Sequence, residues 1–82
     1  MSIKKITPKE LGDNIKTLRN KLGMTQISFS KKIKVSQAYL SMLENGEYFP
    51  SLETLFKIEE KFGVNIMQLK LSKKEFNLVL NN

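Results

Sequence analysis

The sequence predicts an all-α domain of five short helices, a compact bundle with a short C-terminal extension, and three observations carry that prediction. Apolar residues recur at spacings of three and four along most of the chain, the period of a helix with one buried side. Hydroxyl residues suited to helix N-caps stand ahead of these runs at Thr7, Thr25, Ser36 and Ser51, where a side-chain oxygen accepts from the free N–H groups of the first turn. Glycines at 23, 46 and 63 follow the runs, and glycine suits the left-handed residue that ends a helix.

Thr7-Pro8-Lys9-Glu10 sets out a complete start for the first helix: cap, proline at the first position and glutamate at the third for a capping box. Leu11, Ile15, Leu18 and Leu22 form its apolar stripe up to Gly23. Two short helices then follow in Thr25 to Gly46, the first from Thr25 to about Ile33 and the second from Gln37 to about Asn45. Ile27, Phe29 and Ile33 give the first its buried side, and Leu40 and Leu43 give it to the second, so the pair should pack across a tight turn. Pro50 ends the loop after Gly46, Ser51 caps a fourth helix, and Leu52, Leu55, Ile58 and Phe62 supply its stripe. Asn65 caps a fifth helix from Ile66 to about Leu71. Residues 1–71 are thus one domain and 72–82 a tail. In the tail Phe76, Leu78 and Leu80 alternate like a strand while Glu75, Phe76, Val79 and Leu80 suit a helical turn, and a contact with a second copy of the chain is favoured over folding back.

At 82 residues the chain buries only about 60–65% of its unfolded surface. It contains no cysteine and no histidine, which removes disulfides, thiolate and imidazole chemistry and the usual zinc sites, and no cofactor is expected. Without a clustered carboxylate pair or a phosphate loop, an enzyme has little to work with. No apolar run approaches the roughly 20 residues of a membrane span, and MSIKKITPKE lacks the apolar core of a secretory signal, so a cytoplasmic location is expected. Residues 1–35 carry nine basic side chains against Glu10 and Asp13, whereas residues 36–62 carry Lys57 and Lys61 against five glutamates. One region of a protein with net charge +6 is therefore strongly basic, the asymmetry of a molecule that presents one face to a polyanion.

The combined spacings of Ile15, Leu18-Arg19, Gly23, Thr25-Gln26, Val35-Ser36, Glu44-Asn45-Gly46, Pro50-Ser51 and Thr54-Leu55 carry a family resemblance. The chain resembles the phage-repressor and Cro-like (XRE-type) helix-turn-helix regulators over about Leu11 to Leu69. The resemblance implies sequence-specific binding of double-stranded DNA, as a homodimer on a palindromic operator, with helix 37–45 in the major groove. Opposite Leu40 and Leu43 lie Ala38, Ser41, Met42 and Asn45, with Gln37 at the flank. Gln37, Ala38, Ser41 and Met42 are the expected base readers. A glutamine can pair with adenine N6 and N7, and apolar groups can meet thymine methyls. Gln26, Ser36, Tyr39, Asn45, Lys31, Lys32 and Lys34 are the expected backbone contacts. Arg19, the chain's one arginine, is expected to form a structural ion pair with Glu44, for which its rigid fork suits it better than lysine.

Three departures from the family pattern stand out. Lys34 occupies the turn where relatives commonly have glycine, Ser30 replaces a common alanine, and Met42 stands where many relatives carry a polar reader. The last points to an A·T-rich operator. Two alternatives share the same fold: an antitoxin-type repressor that also holds a protein partner, and a protein-binding adaptor using Tyr48 and Phe49.

Overall fold

The structure, a computed structural model, describes residues 6–68. These form helices α1 (Pro8–Lys21), α2 (Gln26–Lys32), α3 (Gln37–Glu44) and α4 (Leu52–Phe62), followed by a short 3₁₀ helix, Ile66–Gln68. The domain is all-helical, with four α-helices among the described residues instead of five. Over its described part the expected fifth helix is a 3₁₀ turn. The Asn65 side-chain oxygen accepts from the Met67 N–H at 3.0 Å, the cap the sequence predicts, but the described residues after it make a single 3₁₀ turn, the short form such segments take. The expected tail, 72–82, lies outside the described residues, as does its dimer contact.

Each α-helix starts where its hydroxyl cap stands. Thr7 accepts from the Glu10 N–H at 3.1 Å while the Glu10 carboxylate accepts from the Thr7 N–H at 3.3 Å, a closed capping box. Thr25 forms a second box with Ser28, whose side chain does what glutamate does in α1. Ser36 and Ser51 accept from the N–H groups of Tyr39 and Thr54. Gly63 ends α4 at φ 69°, a conformation in which a Cβ would be strained.

The buried core comprises Leu11, Ile15 and Leu18 of α1, Phe29 and Ile33 from the α2 region, Leu40 and Leu43 of α3, Ile58 of α4, and Val64 and Ile66. Phe29 and Phe62 stack with ring centroids 5.0 Å apart, which fastens α2 to the end of α4. Three residues expected inside are exposed: Ile27, Leu22 and Leu52. Ile27 lies about 200° around the helix from Phe29 at 3.6 residues per turn, so the two cannot share the face turned to the core. Leu22 is the C-cap of α1, where the chain leaves the bundle, and Leu52 opens α4, about 120° away from buried Ile58.

Gly12 lets α1 reach α3. A Cβ on Gly12 would stand 2.1 Å from the Leu43 carbonyl oxygen and 3.2 Å from Glu44 backbone atoms. The two helices therefore touch backbone to backbone, holding α3 against the base formed by α1.

Candidate nucleic-acid interface

Helix α3 turns Leu40 and Leu43 fully inward. Its other side presents Gln37 and Ala38 exposed, and Ser41 and Met42 half-buried. Ala38, Ser41 and Met42 thus lie on the side of α3 away from Leu40 and Leu43, with Gln37 exposed at the flank and the first turn most open. Eight residues give α3 a length of about 12 Å at 1.5 Å per residue.

At the C-terminal end of α3, Glu44 is the hub of a buried network. Arg19 Nε donates to Glu44 Oε2 at 2.7 Å and Nη2 donates to Oε1 at 3.0 Å, a two-pronged pair between α1 and α3. Arg19 Nη1 also donates to the Met24 carbonyl at 2.9 Å, reaching the turn ahead of α2. The hydrogen bond to Glu44 holds the Arg19 guanidinium above its ordinary pKa, with burial opposing and the charge of Glu44 assisting. Gln26 joins the same carboxylate, its Nε2 donating to Glu44 Oε1 at 3.1 Å. This third member was not expected from sequence, where Gln26 read as an independent anchor. A primary amide carries two N–H donors, so the bond to Glu44 orients Gln26 and still leaves one hydrogen for a phosphate. Arg19 offsets the negative charge of Glu44, so the carboxylate can orient Gln26 without itself repelling a polyanion. Asn45, exposed, caps the same end of α3, its N–H donating to the Ser41 carbonyl at 3.0 Å.

The N-terminal end of α3 gathers the other expected backbone residues. Ser36 is exposed and caps the helix, and Tyr39 is half-buried. The Tyr39 hydroxyl accepts from the Ser51 N–H at 3.1 Å, tying α3 to the start of α4. Burial pushes the Tyr39 phenol up, but hydrogen bonds with Thr54 and with the backbone and side chain of Ser51 outweigh it and leave the pKa below its ordinary value. Lys31 and Lys32 are exposed in the last turn of α2. Lys34, also exposed, sits in the turn with φ 59°, in the left-handed region where a side chain costs about 1–2 kcal/mol. Ser30, buried beside this turn, satisfies its hydroxyl by donating to the Ile27 carbonyl at 2.9 Å.

The expected backbone contacts therefore divide into two groups at opposite ends of α3. Gln26 and Asn45 lie at one end; Ser36, Tyr39 and Lys34 lie at the other, with Lys31 and Lys32 just before the turn. The helix between them is about 12 Å long, comparable with the width of the major groove of B-DNA, whose two walls are phosphate strands. The sequence missed Gly12 and the Tyr39–Ser51 bond. The first carried a signal, since glycine inside a helix is unfavourable unless packing demands it. The second had none, because nothing local links residues twelve apart across a loop.

Residues 15–69 match the sequence profile of a family described as helix-turn-helix. The chain is 36% identical over 64 residues to the ImmF control region 10 kDa protein of Bacillus phage phi105, covering 78% of this chain and 71% of that protein. It is 42% identical over 67 residues to the antitoxin HipB of Escherichia coli O6:H1, covering 80% and 71% of the two chains. The immunity repressor protein of Bacillus phage phi105 is 32% identical over 56 residues, a stretch that spans 68% of this chain and 39% of the longer repressor. A profile match over more than half of the residues, together with a relative 36% identical over most of both chains, gives one conclusion: the chain belongs to the XRE-type helix-turn-helix family of DNA-binding transcriptional regulators.

Proposed function

We propose that this regulator binds a specific double-stranded DNA site as a dimer and represses transcription from the cytoplasm, with α3 in the major groove. Family membership makes it a DNA-binding protein and not an enzyme. The observation that carries the finer reading is the arrangement along α3: exposed Gln37 and Ala38 with half-buried Ser41 and Met42 on one face, and backbone-contact candidates at both ends of a helix as long as the groove is wide. Gln37, Ala38, Ser41 and Met42 read bases. Gln26, Ser36, Tyr39, Asn45, Lys31, Lys32 and Lys34 engage the backbone. The reading face contains no cation, and Met42 offers an apolar surface suited to thymine methyl groups, which favours an A·T-rich operator. No helix among the described residues is long and apolar enough to cross a membrane. Selection of bound duplexes from a random pool tests the reading. A palindrome with half-sites about 34 Å, one helical turn, apart is the expected product, and a protein that enriches no sequence from the pool is not such a regulator.

The antitoxin-type alternative draws on a different observation. Tyr48, Phe49, Leu52 and Phe56 are exposed on the α3–α4 loop and on α4, an apolar surface of the kind that marks protein contacts. The similarity to an antitoxin supports it. In that reading Phe49→Ser with Phe56→Ser abolishes binding to a partner toxin in a two-component titration and leaves duplex binding intact. A monomeric double variant with intact partner binding would assign the surface to the dimer instead.

A further inference from the structure

A hollow of about 150 Å³ lies between the α2–α3 turn and the second half of α4. It is lined by Lys32, Ile33, Lys34, Lys57, Glu60 and Lys61. Four lysines thus line one recess with Glu60 as the acidic residue among its lining, and Glu53, 3.9 Å from Lys57 Nζ, as a second acid nearby. Even with both glutamates counted, cations are in excess. Mutual repulsion of like charges opposes such crowding unless an anion offsets it.

Lys57 is held in place there. Its Nζ donates to the Lys34 carbonyl at 3.3 Å, fixing α4 to the left-handed turn residue. An ammonium group has three donors, so Lys57 keeps hydrogens for another acceptor. Lys34 precedes the α3 cap, Ser36, by two residues, at most about 7 Å of chain. The recess is therefore adjacent to the open, N-terminal end of the reading helix. Duplex DNA carries one negative charge per about 1.7 Å of its axis, so a groove seated on α3 brings a line of phosphates past that end.

Resting on the DNA-binding reading above, we propose that Lys57 and Lys61 of α4 extend the backbone-contact surface beyond the helix-turn-helix pair. With Lys32 and Lys34 they form a cradle for phosphates flanking the bases that α3 reads. These two lysines lie on the otherwise acidic stretch of the chain, 36–62, so linear charge gives no hint of the role. The fold supplies it by laying α4 against the α2–α3 turn.

The test is the salt dependence of duplex affinity for the wild-type chain, Lys61→Gln, the double variant Lys57→Gln/Lys61→Gln, and Lys57→Arg/Lys61→Arg. Each phosphate contact contributes about 0.9 to the slope of log affinity against log salt. The expected slope is shallower by about 0.9 in Lys61→Gln and by about 1.8 in the double glutamine variant. The affinity lost between about 50 and about 200 mM salt then shrinks about threefold and about twelvefold respectively. The arginine pair should keep the wild-type slope, and the preferred sequence should be the same in all four proteins. A wild-type slope in both glutamine variants overturns the cradle. Should the double glutamine variant fail to fold, Lys61→Gln alone decides. A wild-type protein with no preferred sequence would defeat the regulator reading, and the slopes on random duplex would still decide the cradle.

Discussion

Arg19 and Glu44, 25 residues apart, meet in a two-pronged ion pair with side-chain exposures of 12% and 2%. The pair joins α1 to the last residue of α3, and through Gln26 and the Met24 carbonyl it also holds the entrance to α2. Three helices are thus set relative to one another by one carboxylate. Its value to the protein is geometric. A buried ion pair is weak evidence for net stability, because desolvating the two charges offsets much of their attraction.

Removing one partner is a different matter from replacing both. Arg19→Ala leaves Glu44 buried without its cation, a change that costs about 3–5 kcal/mol. That is most of the stability of a domain this size, so thermal melting should show a protein largely unfolded near 37 °C. Arg19→Met with Glu44→Leu should recover most of the melting temperature. If the double variant melts no higher than Arg19→Ala, the loss comes from something other than a stranded carboxylate.

The two glutamines separate by measurement. Gln37 is exposed on the first turn of α3, so Gln37→Ala should leave the melting temperature unchanged and relax base preference at one position of each half-site by about 1–3 kcal/mol. Gln26 is bonded to Glu44, so Gln26→Ala should lower stability by about 1 kcal/mol. It should also weaken all duplexes alike, as loss of a backbone contact does. A selection in which Gln26→Ala changes the preferred bases would reverse the two roles.

Gly12→Ala tests the backbone contact between α1 and α3. Alanine is the better helix former by about 1 kcal/mol, yet the new methyl group would meet the Leu43 carbonyl oxygen at 2.1 Å, with backbone on both sides. Forced separation of the helices should give a net destabilisation of about 1–3 kcal/mol or more. A melting temperature equal to or above wild type would show that α3 can move aside.

Lys34→Gly relieves the left-handed turn residue at φ 59°. A gain of about 1 kcal/mol is expected, corresponding to about 4–8 °C in melting temperature for a domain of this length. The same change removes a cation near the start of α3, so duplex affinity at low salt should fall. Stability and binding would then move in opposite directions. A turn that gained nothing in the melt would mean that the Lys34 side chain contributes enough packing to offset its strain.

Much of the fold could be read from local chemistry. The starts of all four α-helices were visible in Thr7, Thr25, Ser36 and Ser51, because an N-cap acts on N–H groups two or three residues away. Phe29, Ile33, Leu40, Leu43 and Ile58 were legible as core because helical period places them on one side. The stripe was drawn too wide at two positions: Ile27 and Leu52 were grouped with buried neighbours, but both lie off the side turned to the core and are exposed. The region from Ile66 onward read as an α-helix because its apolar residues suit one and Asn65 caps it, whereas its described part is a single 3₁₀ turn.

The candidate interface divides the same way. Gln37, Ala38, Ser41 and Met42 were placed on one face by helical geometry, and the family pattern paired Arg19 with Glu44. What the sequence by itself determined was where the four α-helices among the described residues start, most of the residues they bury, and that the region 1–35 is basic. Only the tertiary structure decided that Gln26 shares the Glu44 carboxylate, that Gly12 brings α1 onto the backbone of α3, and that Lys57 is bonded to the turn at Lys34. These are contacts between residues 18 or more positions apart. Helical period and capping act over about one turn, so the relative placement of the helices, and with it the charged surface around α3, is set by packing.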